Sequence, residues 1–230
     1  MKKVLACLLI VTIMLSLAAC SFDAAPEGEI SGQTNAPTQQ PLEQDEQTDV
    51  PVTFGTTSDT KYENKSLGIG IALDETWTFT PKDKLAELAG LAADEILADD
   101  VAEMLKKANV VYDMQATAAD GATNIILAYE NVGAIYGAVL SESAYVDQAL
   151  KGLETSLAGS AMTLISADKA TYTIEGKNFV GIKIHSQANG VDIYQALVCI
   201  KAGNYMSSTT VTTPLADNTS EILKNFYLVK

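Results

Sequence analysis

Few residues in this 230-residue chain have the types and spacing that catalytic or metal chemistry requires. The chain has one histidine, His185, which excludes a metal site built from several histidines. The motifs HExxH, CxxC and GxSxG and the EF-hand loop do not occur in the sequence. Val180, Ile182 and Ile184 alternate along one face of a predicted strand, so His185 belongs to the other face, exposed or partly covered. We therefore expect a protein that is not an enzyme and that carries no cofactor and no metal.

The first twenty residues carry the most specific pattern in the chain. They read MKKVLACLLIVTIMLSLAAC, with Lys2 and Lys3 ahead of an apolar run from Val4 to Ala18. As a helix, this run is about 22 Å long, which is short of the roughly 30 Å hydrocarbon core of a bilayer. The pattern therefore predicts a signal peptide over residues 1–19 rather than a permanent membrane span.

The end of this run, Leu17-Ala18-Ala19-Cys20, resembles the lipobox of bacterial lipoproteins. The resemblance implies cleavage before Cys20, attachment of diacylglycerol to the Cys20 sulfur and often acylation of the new amino group. Each buried acyl CH₂ contributes about 0.8 kcal/mol, so two or three chains anchor a protein stably. The expected location is the extracytoplasmic face of a bacterial cell membrane. The alternative is an ordinary signal peptide in which the cysteine occurs by chance.

The lipobox assigns the other cysteines by elimination. The resemblance implies that Cys7 is removed with the signal peptide, so Cys199 is the one cysteine expected in the folded part, and no intrachain disulfide is expected. Cys199 lies in a run of apolar residues, which predicts a small buried side chain. The alternative, a reactive thiol, requires cationic neighbours, and Lys201 is the one lysine nearby.

Charge and composition divide the remainder into a tether and one domain. Residues 21–60 hold four of the six prolines, eight of the 29 acidic residues and no lysine. Such a segment buries too little apolar surface to offset its chain entropy, so residues 20–60 are predicted to be a disordered acidic tether behind Cys20. Residues 61–230 are long enough for a single domain with a substantial core. The net charge of −14 and the absence of arginine exclude nucleic acid as a main partner.

Period-2 runs, turn residues and capping patterns predict an α+β fold for this domain. Predicted strands span 67–73, 76–79, 110–116, 124–129, 170–175, 178–187, 191–201 and 205–212, and predicted helices begin near residues 80, 100, 142 and 218. The turns Gly176-Lys177, Asn189-Gly190 and Gly203-Asn204 make the last four strands an antiparallel meander. The strand 191–201 is apolar on both sides and therefore needs cover on both faces. We expect a mostly antiparallel sheet of about seven strands with helices on both faces, an α/β/α sandwich.

Short stretches of the domain resemble the PsbP-like fold. They are Tyr62-Glu63-Asn64, the glycine-rich strand Leu67–Ala72 and the turn Asp74-Glu75-Thr76-Trp77. Further stretches, Tyr112-Asp113-Met114 and Gly203-Asn204-Tyr205-Met206, resemble uncharacterised lipoproteins of clostridia-like Gram-positive bacteria. These motifs are structural, so the resemblance implies a fold. Known members of the PsbP-like fold are non-enzymatic partners in assemblies.

Aromatic side chains are the best candidates for a ligand or partner surface. A single tryptophan can stack on a ligand, and tyrosines combine an apolar ring with a polar tip. The candidates are Trp77, Tyr112, Tyr129 and Tyr194. The alternative for each of them is packing in the core. An acidic cluster at Asp94, Glu95, Asp99 and Asp100 is explained by helix capping and solvation, and its alternative is a weak Ca²⁺ site.

Taken together, these patterns predict a membrane-anchored, extracytoplasmic binding or scaffold module of the cell envelope. Its expected partners are the membrane, through lipidated Cys20, and an envelope protein. One alternative is a receptor subunit that delivers a small ligand to a membrane transporter, although one domain of this size lacks the two-lobed cleft of such receptors. The other is an envelope hydrolase, which needs a nucleophile and a base that the sequence does not single out.

Overall fold

The structure is a computed structural model that describes residues 52–90, 101–106, 108–157 and 161–230. The signal peptide, Cys20, most of the tether and the acidic cluster of Asp94, Glu95, Asp99 and Asp100 lie outside the described residues. Within the described ranges, no helix has both the length and the hydropathy of a membrane span.

A seven-stranded antiparallel sheet forms the centre of the domain, in the order β4-β5-β6-β10-β9-β8-β7. Its strands are β4 (Thr78–Phe79), β5 (Val110–Thr117), β6 (Asn124–Glu130), β7 (Met162–Ile174), β8 (Lys177–Ala188), β9 (Val191–Ala202) and β10 (Tyr205–Pro214). Every pairing in this sheet is antiparallel. The predicted sheet of about seven antiparallel strands is confirmed.

Tight turns connect β7 to β10 into the predicted meander. The first two turns place consecutive residues in the left-handed region, at Glu175-Gly176 (φ 47° and 85°) and Asn189-Gly190 (φ 51° and 80°). Two such residues suit the right-handed twist of a two-residue hairpin, which explains why glycine follows in each turn. The first of these strands begins at Met162, earlier than the predicted residue 170.

A second, four-stranded antiparallel sheet covers part of the large sheet. Its order is β1 (Thr56–Thr57), β2 (Lys61–Asn64), β3 (Ile69–Ala72) and β11 (Phe226–Leu228). Alternation at 67–73 correctly predicts β3, but sequence reasoning does not separate it from the large sheet. The reason is that β11 pairs with β3, with Phe226 opposite Ile71, and local patterns do not reveal such distant pairing.

Helices lie on both faces of the large sheet, as predicted. They are α1 (Lys82–Leu88), α2 (Val101–Leu105), α3 (Ala134–Val139), α4 (Glu142–Leu157) and α5 (Thr219–Leu223). The α4 helix begins where predicted, because the Ser141 hydroxyl accepts a hydrogen bond from the Ala144 N–H at 3.2 Å. Thr80 does not cap α1 with its side chain, which hydrogen-bonds Gln115 instead. Sequence reasoning missed α3.

The strand β9 shows how the layers share the core. Its residues Ile193, Leu197 and Cys199 pack with the apolar face of α4. Its alternate residues, such as Ala196 and Val198, pack with the small sheet and α2 on the opposite face. Cover on both faces of this strand is therefore confirmed. Cys199 is 1% exposed, and burial raises the pKa of its thiol, so it is the inert small side chain that the sequence predicts.

Candidate functional site

The structure does not bring the four predicted aromatic residues onto one surface. Tyr129 is fully buried between the large and small sheets, and Trp77 is partly buried against the same cluster. Tyr112 is 8% exposed and lies on the opposite face of the large sheet, beside Leu85. Tyr194 remains half-buried on β9. Buried Tyr129 and Tyr112 are not available to a partner, because the strands that carry them are covered by the small sheet and by α1 respectively.

Tyr129 belongs to a buried network centred on Asp113, which is 4% exposed. The Asp113 carboxylate accepts hydrogen bonds from the Gly55 N–H at 2.9 Å, the Tyr62 hydroxyl at 2.6 Å and the Asn64 amide at 2.7 Å. The same Asn64 amide donates to the Tyr129 hydroxyl at 2.8 Å. Gly55, Tyr62 and Asn64, from the N-terminal part of the domain, therefore all donate to Asp113 of the large sheet.

A β-bulge in β5 creates this position. The register with β6 shifts between Tyr112 and Met114, so Asp113 is the extra residue and turns towards the small sheet. Burial raises the pKa of Asp113, although the hydrogen bonds from Tyr62, Gly55 and Asn64 act to lower it. Burial and the neighbouring Asp113 charge also raise the pKa of the Tyr62 hydroxyl, which keeps it a donor. These hydrogen bonds link the small sheet to the large sheet, so the role of this network is structural.

A small cavity lies next to the Asp113 network, between α1, α2 and β5. Its volume is about 20 Å³, which is enough for one water molecule and far below the roughly 300–1,000 Å³ of ligand pockets. Its walls are formed by Phe54, Lys82, Leu85, Ala86, Met104, Val111, Tyr112 and Asp113. The positive charge of Lys82 acts to lower the pKa of Asp113. In the described part of the chain, no group of three or more His, Cys, Asp or Glu side chains is placed to hold a metal ion.

A solvent-accessible polar cluster lies on β8 and β9, on the face that also carries the small sheet. We call it the His185 surface, and it comprises Lys183, His185, Asp192, Tyr194, Leu215 and Asp217. The His185 ring stacks on the Tyr194 ring, with centroids 4.4 Å apart and an interplanar angle of 14°. The His185 Nε2 lies 3.0 Å from an Asp192 carboxylate oxygen. The side chain of His185 is 26% exposed, which confirms a partly covered position.

Two further contacts complete the His185 surface. The Lys183 ammonium lies 2.8 Å from the Asp217 carboxylate. The Leu215 N–H donates to the Asp192 carbonyl at 2.8 Å, which holds Leu215 beside the cluster. Leu215 is 76% exposed and has a φ of 68°, a conformation that costs a non-glycine residue roughly 1 kcal/mol. A strained and exposed apolar residue beside paired charges makes this the best candidate functional site among the described residues.

The pairing of strands explains why sequence reasoning finds so little of this site. Register places His185 opposite Tyr194 across the β8–β9 pair, and a stacked pair on one face follows from that register alone. The turn Asn189-Gly190 and the two alternating strands contain the signal, since they fix which residues face each other. Leu215 and Asp217 carry no such signal, because the loop after β10 determines their positions. Asp113, in the network between the two sheets, is only weakly indicated by the sequence, as a charged residue inside an apolar strand.

Comparison with known proteins finds no matching protein-family model and no matching curated protein. Among solved structures, the chain is similar to cyanobacterial PsbP from Synechocystis sp. PCC 6803, with a TM-score of 0.41 and 8% identity over 78% of this chain and 95% of that one. It is also similar to a structure from Bacteroides thetaiotaomicron, with a TM-score of 0.37 and 12% identity over 76% of this chain and 50% of that one. A protein of unknown function from Pseudomonas aeruginosa has a TM-score of 0.28 and 22% identity over 39% of this chain and 58% of that one. TM-scores this low carry no argument about family or function, so membership of the PsbP-like fold stays a prediction from the sequence.

Proposed function

We propose that this protein is a lipid-anchored, extracytoplasmic binding module of a bacterial cell envelope, and that the His185 surface contacts its protein partner. The observation that carries the proposal is the stacked His185–Tyr194 pair beside exposed Leu215. Tyrosine is enriched among the residues that dominate binding energy, since it loses little side-chain entropy when it is buried. Here the stack already holds Tyr194 in place, which lowers that cost further.

The charges of the His185 surface support a protein partner over a membrane partner. Lys183 and Asp217 form one exposed pair, and the Asp192 carboxylate lies 3.0 Å from the His185 ring. Mixed signs at close range give specificity towards a surface of complementary pattern. An anionic lipid surface instead attracts clusters of four or more cations.

The N-terminal sequence supports the location. A cationic start, a 15-residue apolar run and Leu17-Ala18-Ala19-Cys20 imply export and lipidation of Cys20. Residues 21–51 then separate the lipid from the first described residue, Val52. From their composition we infer that these residues form a flexible tether, which at this length would span roughly 30 Å on average and hold the module close to the membrane.

The small-ligand receptor remains the second candidate, and the cavity is the observation that bears on it. A volume of about 20 Å³ among the described residues accommodates one water molecule and no metabolite. A thermal-shift screen against envelope sugars, peptides and metabolites separates the two functions. A ligand present at 100 times its Kd stabilises the native state by about 2.7 kcal/mol, and such a rise in Tm would favour the receptor.

The anchor is tested with Cys20→Ser in the native host. We expect the variant to escape lipidation and to appear in the soluble fraction, whereas Cys199→Ser stays in the membrane fraction as the matched control. Membrane retention and normal processing of Cys20→Ser would contradict the anchor.

The surface is tested by crosslinking and quantitative recovery from native membranes. We expect Tyr194→Ala and His185→Ala to reduce recovery of the same envelope protein at least tenfold. The control is Tyr205→Ala, a partly buried tyrosine at the other end of the β9–β10 hairpin. Unchanged recovery with both surface variants would refute the His185 surface as the contact.

A further inference from the structure

The first described segment, residues 52–57, is bound to the rest of the domain mainly through side chains, and we call it the strap. The Thr53 N–H donates to the Ser66 hydroxyl at 3.0 Å, and the Thr53 carbonyl accepts from the Asn64 amide at 3.2 Å. In the described structure only the last two residues of the strap, those of β1, pair with a strand. Other elements therefore hold the main chain of the strap much as a protein holds the main chain of a docked peptide.

Gly55 occupies the narrowest position of the strap. Its N–H donates to the Asp113 carboxylate at 2.9 Å. A Cβ built at Gly55 would overlap the Tyr62 ring, so a larger residue fits only if this ring moves. Because the Tyr62 ring is fully buried, such a movement disturbs the core. The position therefore selects glycine.

Phe54 extends from the strap towards the space between α1, α2 and β5. Its ring meets the Tyr129 ring edge to face, with centroids 6.4 Å apart and an interplanar angle of 81°. It also forms one wall of the cavity of about 20 Å³. Tyr112 forms another wall, and its buried hydroxyl has no hydrogen-bond partner among the described residues. The half-buried Phe54 ring thus closes, without filling it, a site that has apolar walls and an unsatisfied polar group.

The groups that receive the strap also hold one another in place. Asp113 Oδ2 accepts hydrogen bonds from the Tyr62 hydroxyl at 2.6 Å and from the Asn64 amide at 2.7 Å. The Asn64 side-chain carbonyl accepts from the Leu67 N–H at 2.9 Å. None of these three bonds involves the strap, so they persist when the strap is displaced. A site that is already ordered binds an extended segment more tightly, since less ordering is required on binding.

We propose that the strap occupies a peptide-binding site, where an extended segment of a partner polypeptide with an aromatic residue followed by glycine replaces it. The strap itself shows the chemistry of this ligand. It presents a ring between α1, α2 and β5, a glycine against Tyr62, and main-chain groups to Ser66, Asn64 and Asp113. The strap also limits access, because a partner binds only the fraction of molecules in which the strap is displaced. The site shares no residue with the His185 surface and does not rest on that proposal.

The test uses the full-length protein and a labelled, end-capped peptide VTFGTT, which is the sequence of the strap. We expect saturable binding to the parent protein and at least tenfold tighter binding to Gly55→Ala, whose own strap collides with Tyr62. The same change in the peptide, VTFATT, should weaken its binding at least tenfold. Opposite effects of one substitution are specific to competition for one site. Equal binding of the two peptides, or no binding of VTFGTT to folded Gly55→Ala, would overturn the proposal.

A reversible crosslink provides a second measurement that does not weaken the fold. The hydroxyl oxygens of Thr53 and Ser66 lie 3.0 Å apart, so Thr53→Cys with Ser66→Cys should form a disulfide that keeps the strap in its site. We expect the oxidised double variant to bind VTFGTT at least tenfold more weakly than its reduced form, whereas Thr53→Cys alone should bind equally in both conditions. Equal binding of the oxidised and reduced double variant would contradict the proposal.

Two further outcomes identify the occupant and the site. If the parent forms a dimer that the oxidised crosslink alone dissociates, the strap of a second copy occupies the site and the proposal of a partner is wrong. Tyr194→Ala should leave binding of VTFGTT unchanged, and a tenfold loss would place the peptide on the His185 surface instead. Failure of the His185 surface in recovery experiments leaves the peptide measurements unaffected, so the two proposals are tested separately.

Discussion

Replacing Asp113 with alanine should destabilise the domain more than any change to an exposed acidic residue. The carboxylate is 4% exposed and accepts bonds from Gly55, Tyr62 and Asn64. The substitution leaves the Gly55 N–H and the Tyr62 hydroxyl without this acceptor. Asn64 keeps the Thr53 carbonyl and the Tyr129 hydroxyl as acceptors.

The expected cost follows from these two orphaned donors. Each buried donor left unsatisfied costs about 1–3 kcal/mol, and bonds to a charged group lie at the upper end of that range. Removal of a buried charge offsets part of the loss. We expect a fall of about 4 kcal/mol in the free energy of unfolding, which is a large share of the roughly 5–15 kcal/mol available to a domain.

Equilibrium urea unfolding of the full-length protein measures this cost. Asp168→Ala, an exposed acidic residue on β7, is the matched control and should change stability by less than about 0.5 kcal/mol. In a protein that already carries Tyr62→Phe, the Asp113→Ala substitution leaves only the Gly55 N–H without its acceptor. We therefore expect the double variant to be at least about 1 kcal/mol more stable than the sum of the two single effects.

The cost should also depend on pH. Because burial raises the pKa of Asp113 above its ordinary value of 3.8, its contribution to stability is fully present below that value. The contribution declines as pH rises through the raised pKa. The difference between the parent protein and Asp113→Ala should thus be larger at acid than at neutral pH. A cost within 1 kcal/mol of the Asp168 control, or one that grows from acid to neutral pH, would refute the reasoning.

Three further predictions concern the interior of β8 and the loop after β10. A Cβ at Gly181 would lie 1.9 Å from the Leu197 carbonyl oxygen, so Gly181→Ala should force β8 from β9 and lower Tm by roughly 6–12 °C, measured by circular dichroism. Leu215→Asn should relieve a left-handed leucine and raise Tm by about 2–4 °C while weakening partner recovery; a fall in Tm would contradict the strain argument. Although partial burial acts to raise it, hydrogen bonds from Lys183 and Thr219 hold the pKa of Asp217 below its ordinary value, so Asp217→Asn should cost under about 1 kcal/mol above pH 4. That cost should disappear as pH falls through the lowered pKa, and a cost independent of pH in urea titrations would exclude the ion pair as its source.

Local sequence patterns are sufficient to predict most strands of the large sheet. The alternation in 178–187 and 191–201, separated by Asn189-Gly190, predicts β8, β9 and their pairing, because a two-residue turn fixes the register. The same reasoning finds α4 from Ser141 and its apolar face. It misses α3, which has no charged residue in either its first or its last turn.

The candidate site was less accessible to sequence reasoning. The sequence makes Tyr194 a candidate for a ligand or partner surface, and the structure adds its stacking partner, His185. The sequence makes Tyr129 a candidate for the same surface, but Tyr129 is fully buried. Alternation shows that neighbouring residues lie on opposite faces of a strand, but it does not show which face is covered by another sheet or helix.

The sequence by itself determined the elements that depend on neighbouring residues: strand periodicity, hairpin turns, the α4 cap and the pattern ending at Cys20. The tertiary structure decided what depends on distant contacts. It paired β11 with β3, turned Asp113 towards Gly55 and placed β7 at one end of the described large sheet. The physical reason is that turn geometry and side-chain alternation act over a few residues. Burial and charge pairing instead depend on which layers meet, and residues more than a hundred positions apart decide that in this chain.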